Sequence, residues 1–226
     1  MTSDAAIRTP PAEDELTLAR RVASGDRAAF ELIMRRYNRR LYRLARAYLR
    51  DDSEAKDALQ EAYLSAYRAI GNFRGDATLS TWLSRLVLNE CGVRQRRSAR
   101  RRNIIPLVSS ATSRAETESV ADVAEGPDRA AARTQLRAIL EDKLGELPEA
   151  LRVVFVLRSV EELSVVETAE TLGIAEETVR VRHFRAKGML REALAREIDL
   201  AETDLFEFGG VHCDGVVASV LARVSV

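Results

Sequence analysis

Cysteine is nearly missing from this chain: Cys91 and Cys213 stand far apart among 226 residues, so no disulfide framework is implied. A reducing cytoplasm fits that usage better than secretion. Histidine is as scarce, and the sequence has neither a Gly-rich phosphate loop nor clustered carboxylates, which leaves catalysis little to work with. With 11 Gly, 5 Pro and 5% aromatics against abundant Leu, Ala and Arg, helix breakers are few and helices are favoured. No run is long and apolar enough to span a bilayer, and the first residues lack a signal-peptide core. A soluble, cytoplasmic protein without membrane insertion is expected. Excess charge is lacking too: 35 basic and 35 acidic residues cancel, which taken alone argues against a nucleic-acid binder.

The charge is unevenly placed, however. Arginines crowd residues 20–50 and 94–102, while acids collect in 115–128 and 197–207. Local fields guide a polyanion more than the sum does. Apolar spacing predicts a helix from about Glu13 to Ser24 and a longer one over Arg27–Leu49, with Phe30, Ile33, Met34, Tyr37, Leu41, Leu44 and Tyr48 on one stripe. Asp51-Asp52-Ser53 breaks that helix and caps a third, from about Glu54 to Ile70. A glycine-bounded loop, Gly71 to Asp76, precedes a fourth from about Thr78 that runs into the arginines of 94–102.

These four helices make a compact unit over 13–102. Residues 103–129 then read as a flexible acidic linker, rich in Ser, Thr and Ala and without periodicity. Helical order returns over 130–198. The fold class is all-α, with two small helical domains joined by that linker. The remainder, 199–226, holds a short amphipathic stretch, Val216 to Val224, that suits a helix packed on its own domain. His212-Cys213 has no companion ligands, and no metal or cofactor is expected.

Residues 164–190 carry the chemistry. Ser164 with Glu167 has the form of a capping box. Val165, Val166, Ala169 and Leu172 share one face that should be buried. Gly173 permits a sharp turn, and a second helix starts near Glu176 with Val179 packed inward. Arg180, Val181, Phe184 and Arg185 then share the outward face. This is helix-turn-helix spacing, in which the second helix enters the major groove. An ordinary helical hairpin with a solvated basic face would carry the same pattern.

Three stretches together decide between these. Glu54-Ala-Lys-Asp-Ala-Leu-Gln-Glu61, Asn72 through Glu90, and Leu147-Pro-Glu-Ala-Leu-Arg through Met189 resemble, in this order, bacterial RNA polymerase sigma factors of the extracytoplasmic-function (ECF) class. The resemblance covers roughly 13–198 and implies a sigma-2 domain, a linker and a sigma-4 domain. It implies core RNA polymerase, through its largest-subunit clamp helices, as a partner of Asp57, Gln60 and Glu61. Lys56 departs from it, since the family often has an acid there.

The second stretch is similar to the −10 region, in which a loop captures a flipped base. Asn72, Phe73, Arg74, Trp82, Arg85 and Asn89 are its candidate contacts with promoter DNA. Core packing suits Trp82 equally well, whereas Asn89, if buried, needs a partner for its amide. The Arg94–Arg102 run would follow as a phosphate contact. For the −35 element, Thr178, Arg180, Val181, Phe184 and Arg185 are implied, Arg paired to guanine being the strongest readout available. An anti-sigma factor is a further partner common in such proteins. The rival readings are a stand-alone helix-turn-helix regulator that needs no polymerase and, more weakly, a helical enzyme.

Overall fold

The computed structural model describes residues 14–104 and 127–203, with 218–220 and 223. Every regular element among them is helical. The first region starts with α1 (Glu15–Ala23) and α2 (Arg27–Leu49). Between them Gly25 adopts φ 96°, and Asp26 caps α2 by accepting from the Ala29 amide at 3.0 Å. The Arg21 guanidinium steadies that carboxylate at 2.7 Å. Arg50 closes α2 in the left-handed region, and Asp51 starts α3 (Asp52–Ala69) by accepting from the Glu54 amide at 2.8 Å. A 3₁₀ turn (Ile70–Asn72) and a loop lead to α4 (Leu79–Ile104).

Glu15 ties the start of this region to its end. One carboxylate oxygen accepts from Tyr37 and the other from the Leu79 amide at 2.7 Å, so α1 helps cap α4. Four helices then enclose one continuous core in which Leu18, Ile33, Leu41, Leu79, Leu83 and Val87 are fully buried.

The second region holds α5 (Pro127–Glu146), α6 (Glu149–Phe155), which ends in a π turn (Val156–Val160), α7 (Val165–Leu172) and α8 (Glu176–Thr203). α5 begins three residues earlier than periodicity suggests, because Pro127 suits a first turn. α8 continues through residue 198, so the expected boundary there falls inside a helix. Most of the expected linker, 105–126, lies outside the described residues. So do Phe206, Phe208, His212 and Cys213 and most of the tail stretch, in which 218–220 are helical.

The apolar residues of the second region are divided. Leu147, Ala186 and Leu190 form one small cluster, and Val154, Ala169 and Val179 another. A third, of Val153, Val156, Leu157 and Leu163, is completed by Leu44 and Ala47 of α2. Leu44 therefore belongs to a seam between the regions, although its periodicity groups it with the stripe inside the first. Gly145 marks how closely the two regions approach, since a Cβ there would lie 3.6 Å from the Arg50 guanidinium.

Candidate nucleic-acid interface

α7 and α8 are set by local chemistry. Ser164 accepts from the Glu167 amide at 3.1 Å, and the Glu167 carboxylate accepts from the Ser164 amide at 2.8 Å, a complete capping box. These bonds, the Ser164 partners foremost, hold the Glu167 carboxyl below the usual range. Gly173 ends α7 in the left-handed region at φ 64°, ψ 37°. Val179 is fully buried between the helices, against Val154 and Ala169.

One expectation for α7 needs correcting: Val166 is 50% exposed, and Thr168 and Thr171 are buried instead. Thr168 lies with Val165, Ala169 and Leu172 on the inward arc, whereas Val166 is turned about 100° from Val165. The Thr168 hydroxyl can enter because it donates to the Ser164 carbonyl at 2.8 Å.

On α8 the five residues expected to read bases are brought together. Thr178 is half-buried, while Arg180, Val181, Phe184 and Arg185 line one exposed face, Phe184 being 80% accessible. A phenyl ring so exposed contributes nothing to the core. Arg180 is held by Glu176 at 2.7 Å and by Glu177 at 3.4 Å, acids that also suit the helix N-terminus. Behind this face His183 shares a 2.8 Å hydrogen bond with Ser159, and burial, with Lys187 and Arg158 beside it, lowers its pKa.

The α4 candidates are arranged differently. Asn72, at the end of the 3₁₀ turn, and Arg74, in the loop, are exposed. Phe73 is half-buried and tilts against Trp82, ring centres 5.7 Å apart, so both aromatics lean on the first core. Asn89 is exposed, and solvent rather than a buried partner can satisfy its amide. Arg85 reaches across to α7, donating from Nε at 3.0 Å and from a terminal nitrogen at 2.7 Å to the Glu170 carbonyl. In the basic run, Arg94 pairs with Glu54 at 3.0 Å and Asp57 at 3.4 Å, while Arg96, Arg97 and Arg100 are exposed.

Asp57, Gln60 and Glu61 lie exposed on α3 beside buried Leu59 and Ala62. The same stripe continues through Leu64, 49% exposed, and Tyr67. These two were missed, although spacing of four and seven from Gln60 would have found them. Lys56 is paired with Asp52 at 2.7 Å in the first turn of α3.

Arg152 was missed as well. It is 5% exposed and donates to the Leu147 carbonyl at 2.5 Å, the Tyr48 carbonyl at 3.3 Å and the Ala47 carbonyl. A single charge within Ala-Leu-Arg-Val-Val-Phe was the signal available. Cys91 is sealed in the first core, its thiol pushed up to about 12 by burial. Among the described residues no group of His, Cys, Asp and Glu could hold a metal ion, and no helix is long and apolar enough to cross a membrane.

Comparison with known proteins matches two segments of this chain. Residues 33–102 match the family model for sigma-70 region 2, and 137–190 match that for sigma-70 region 4. The chain is 34% identical to the RNA polymerase sigma-H factor of Pseudomonas aeruginosa, over 80% of its own length and 94% of that protein's. It belongs to the ECF RNA polymerase sigma factors.

The ECF RNA polymerase sigma factor SigM of Mycobacterium tuberculosis is 40% identical over 80% of this chain and 84% of its own. The sigma-E factor of Escherichia coli is 32% identical over 80% and 92%. Among solved structures, CnrH in complex with the cytosolic domain of CnrY superposes with a TM-score of 0.58 at 25% identity, covering 80% of this sigma factor and 97% of CnrH. The sigma factor RpoE of Bartonella quintana, solved with the anti-sigma factor NepR, shares the fold at a TM-score of 0.59 and 19% identity, over 74% and 96%. The chain is accordingly a non-enzymatic factor for transcription initiation, and its α3–α4 and α8 candidates fall within regions 2 and 4 respectively.

Proposed function

We propose that this sigma factor selects promoters through two separate grips. The observation that carries this reading is the outward face of α8. Arg180, Val181, Phe184 and Arg185 stand together on the second helix of a helix-turn-helix, with Phe184 almost fully exposed. Arginine forks can reach guanine edges, and an apolar side chain can meet a thymine methyl, so this face is suited to the −35 duplex. Thr178 stands beside it. The −10 strand falls to Asn72 at the end of the 3₁₀ turn, Phe73 and Arg74 in the loop, and Trp82, Arg85 and Asn89 on α4, with Arg96, Arg97 and Arg100 on its phosphates.

Core RNA polymerase docks on the exposed α3 stripe, where Asp57, Gln60 and Glu61 supply charge and hydrogen bonds and Leu64 and Tyr67 supply apolar area. An anti-sigma factor is a further partner on this reading, CnrH having been solved with the cytosolic domain of CnrY.

Transcription in vitro with purified core polymerase and a promoter library tests the assignment. Arg180→Ala is expected to relax −35 selectivity, at about 1–3 kcal/mol of discrimination for a lost bidentate pair. Asn89→Ala is expected to weaken −10 use. Both should leave core binding intact. Specific DNA binding by the chain alone, without initiation when core is added, would refute the reading.

A further inference from the structure

We propose that the free chain is self-locked, α7 engaging the Arg85 guanidinium on the −10 face of α4 while the −35 face of α8 makes no contact with the first region. This rests on the −10 reading of Arg85 and Asn89 above. The Glu170 carbonyl takes two nitrogens of the Arg85 guanidinium, at 3.0 and 2.7 Å. That edge of the fork cannot grip a phosphate or a base at the same time. Asn89 lines the same cleft, between Leu88 and Tyr48 on one wall and Thr171 and Gly173 on the other. Arg180, Val181, Phe184 and Arg185 remain exposed in this state.

Three fasteners hold the seam. Arg43 pairs with Glu161 at 3.0 Å in a partly buried bridge. Gln95 donates to Glu149. Arg152 crosses from α6 to the Ala47 and Tyr48 carbonyls, groups that the end of α2 leaves unpaired, above the apolar cluster of Leu44, Ala47, Val156 and Leu157.

Arg152 is buried with Arg50 and Arg46 as like charges, opposed by Glu149. Since apparent affinity falls with the fraction of chain in the competent state, closure weakens −10 strand binding without altering the reading face itself.

Arg43→Glu sets like charges across the seam; the loss of positive charge by itself would weaken binding to any nucleic acid, so tighter binding must come from opening. Small-angle scattering of the full chain is expected to show a larger radius of gyration. A labelled mixed-sequence single-stranded 12-mer should bind about tenfold tighter, as expected if roughly nine chains in ten are closed. Adding Glu161→Arg to Arg43→Glu should restore both values, which also excludes misfolding as their cause. Gln95→Glu added to Arg43→Glu should enlarge both effects. An unchanged radius in both opening variants, or expansion without tighter strand binding, overturns the lock. Expansion and tighter binding that Asn89→Ala does not reduce would instead overturn the assignment of Asn89 to the −10 strand.

Discussion

In α1–α4, Leu18, Ile33, Leu41, Leu83 and Val87 meet in one core to which every helix contributes. In α5–α8 the buried side chains fall into three small clusters, one of them finished by Leu44 and Ala47 from the other region. The larger region adds its caps and turns to a core that every helix shares. The smaller region leans on turn chemistry, the Ser164–Glu167 box and the left-handed Gly173, and on the seam with its neighbour. The difference matches their proposed tasks, since a short helix-turn-helix needs a fixed angle between α7 and α8 more than a deep interior.

Leu83→Ala tests the first half of that comparison and should have the largest effect. The side chain is 1% exposed at the centre of the core, and such truncations cost about 2–5 kcal/mol. Denaturant unfolding followed by Trp82 fluorescence should show the loss. A probe on α8 should move less; an equal shift there would mean that the seam makes the two regions one cooperative unit.

Gly173→Ala tests the second half. A Cβ at this position would meet nothing within 4 Å, so the cost comes from the left-handed backbone alone, about 1–2 kcal/mol. Thermal unfolding of the second region should register it, and duplex binding should weaken as the angle between α7 and α8 is loosened. Unchanged melting with Gly173→Ala would break the claim that turn chemistry sustains this region.

What was legible in the sequence divides along the same line. Local rules act within a few residues, so the bounds of α2, the capping box, the turn at Gly173, the inward Val179 and the shared face of Arg180, Val181, Phe184 and Arg185 could all be read directly. The seam could not. A period of 3.6 shows that a side of a helix is apolar, not which neighbour covers it, and so Leu44 was grouped with the wrong partners. Arg85 looked free for DNA because nothing local reveals a carbonyl 85 positions further on. Whether Asn89 was buried among its apolar neighbours could not be read locally; its position on α4 is exposed and faces a cleft. Thr168 replaced Val166 inside because a hydroxyl that bonds its own helix is cheap to bury.

Glu167→Gln carries the smallest expected effect and the sharpest sign. The folded chain holds the Glu167 carboxyl below its ordinary 4.5, chiefly through Ser164, so the carboxylate stabilises the fold wherever it is ionised. That contribution is fully present above the unfolded value and is lost as pH falls through the lowered folded value. A glutamine can still accept from the Ser164 amide but brings no charge to the helix N-terminus. At neutral pH Glu167→Gln should therefore be less stable by about 0.3–1 kcal/mol. The gap between variant and parent in thermal melts should close in acid, once Glu167 is protonated in both folded and unfolded chains. A gap that persists in acid would assign the effect to hydrogen-bond geometry, and the charge at the start of α7 would then contribute nothing to holding the helix-turn-helix.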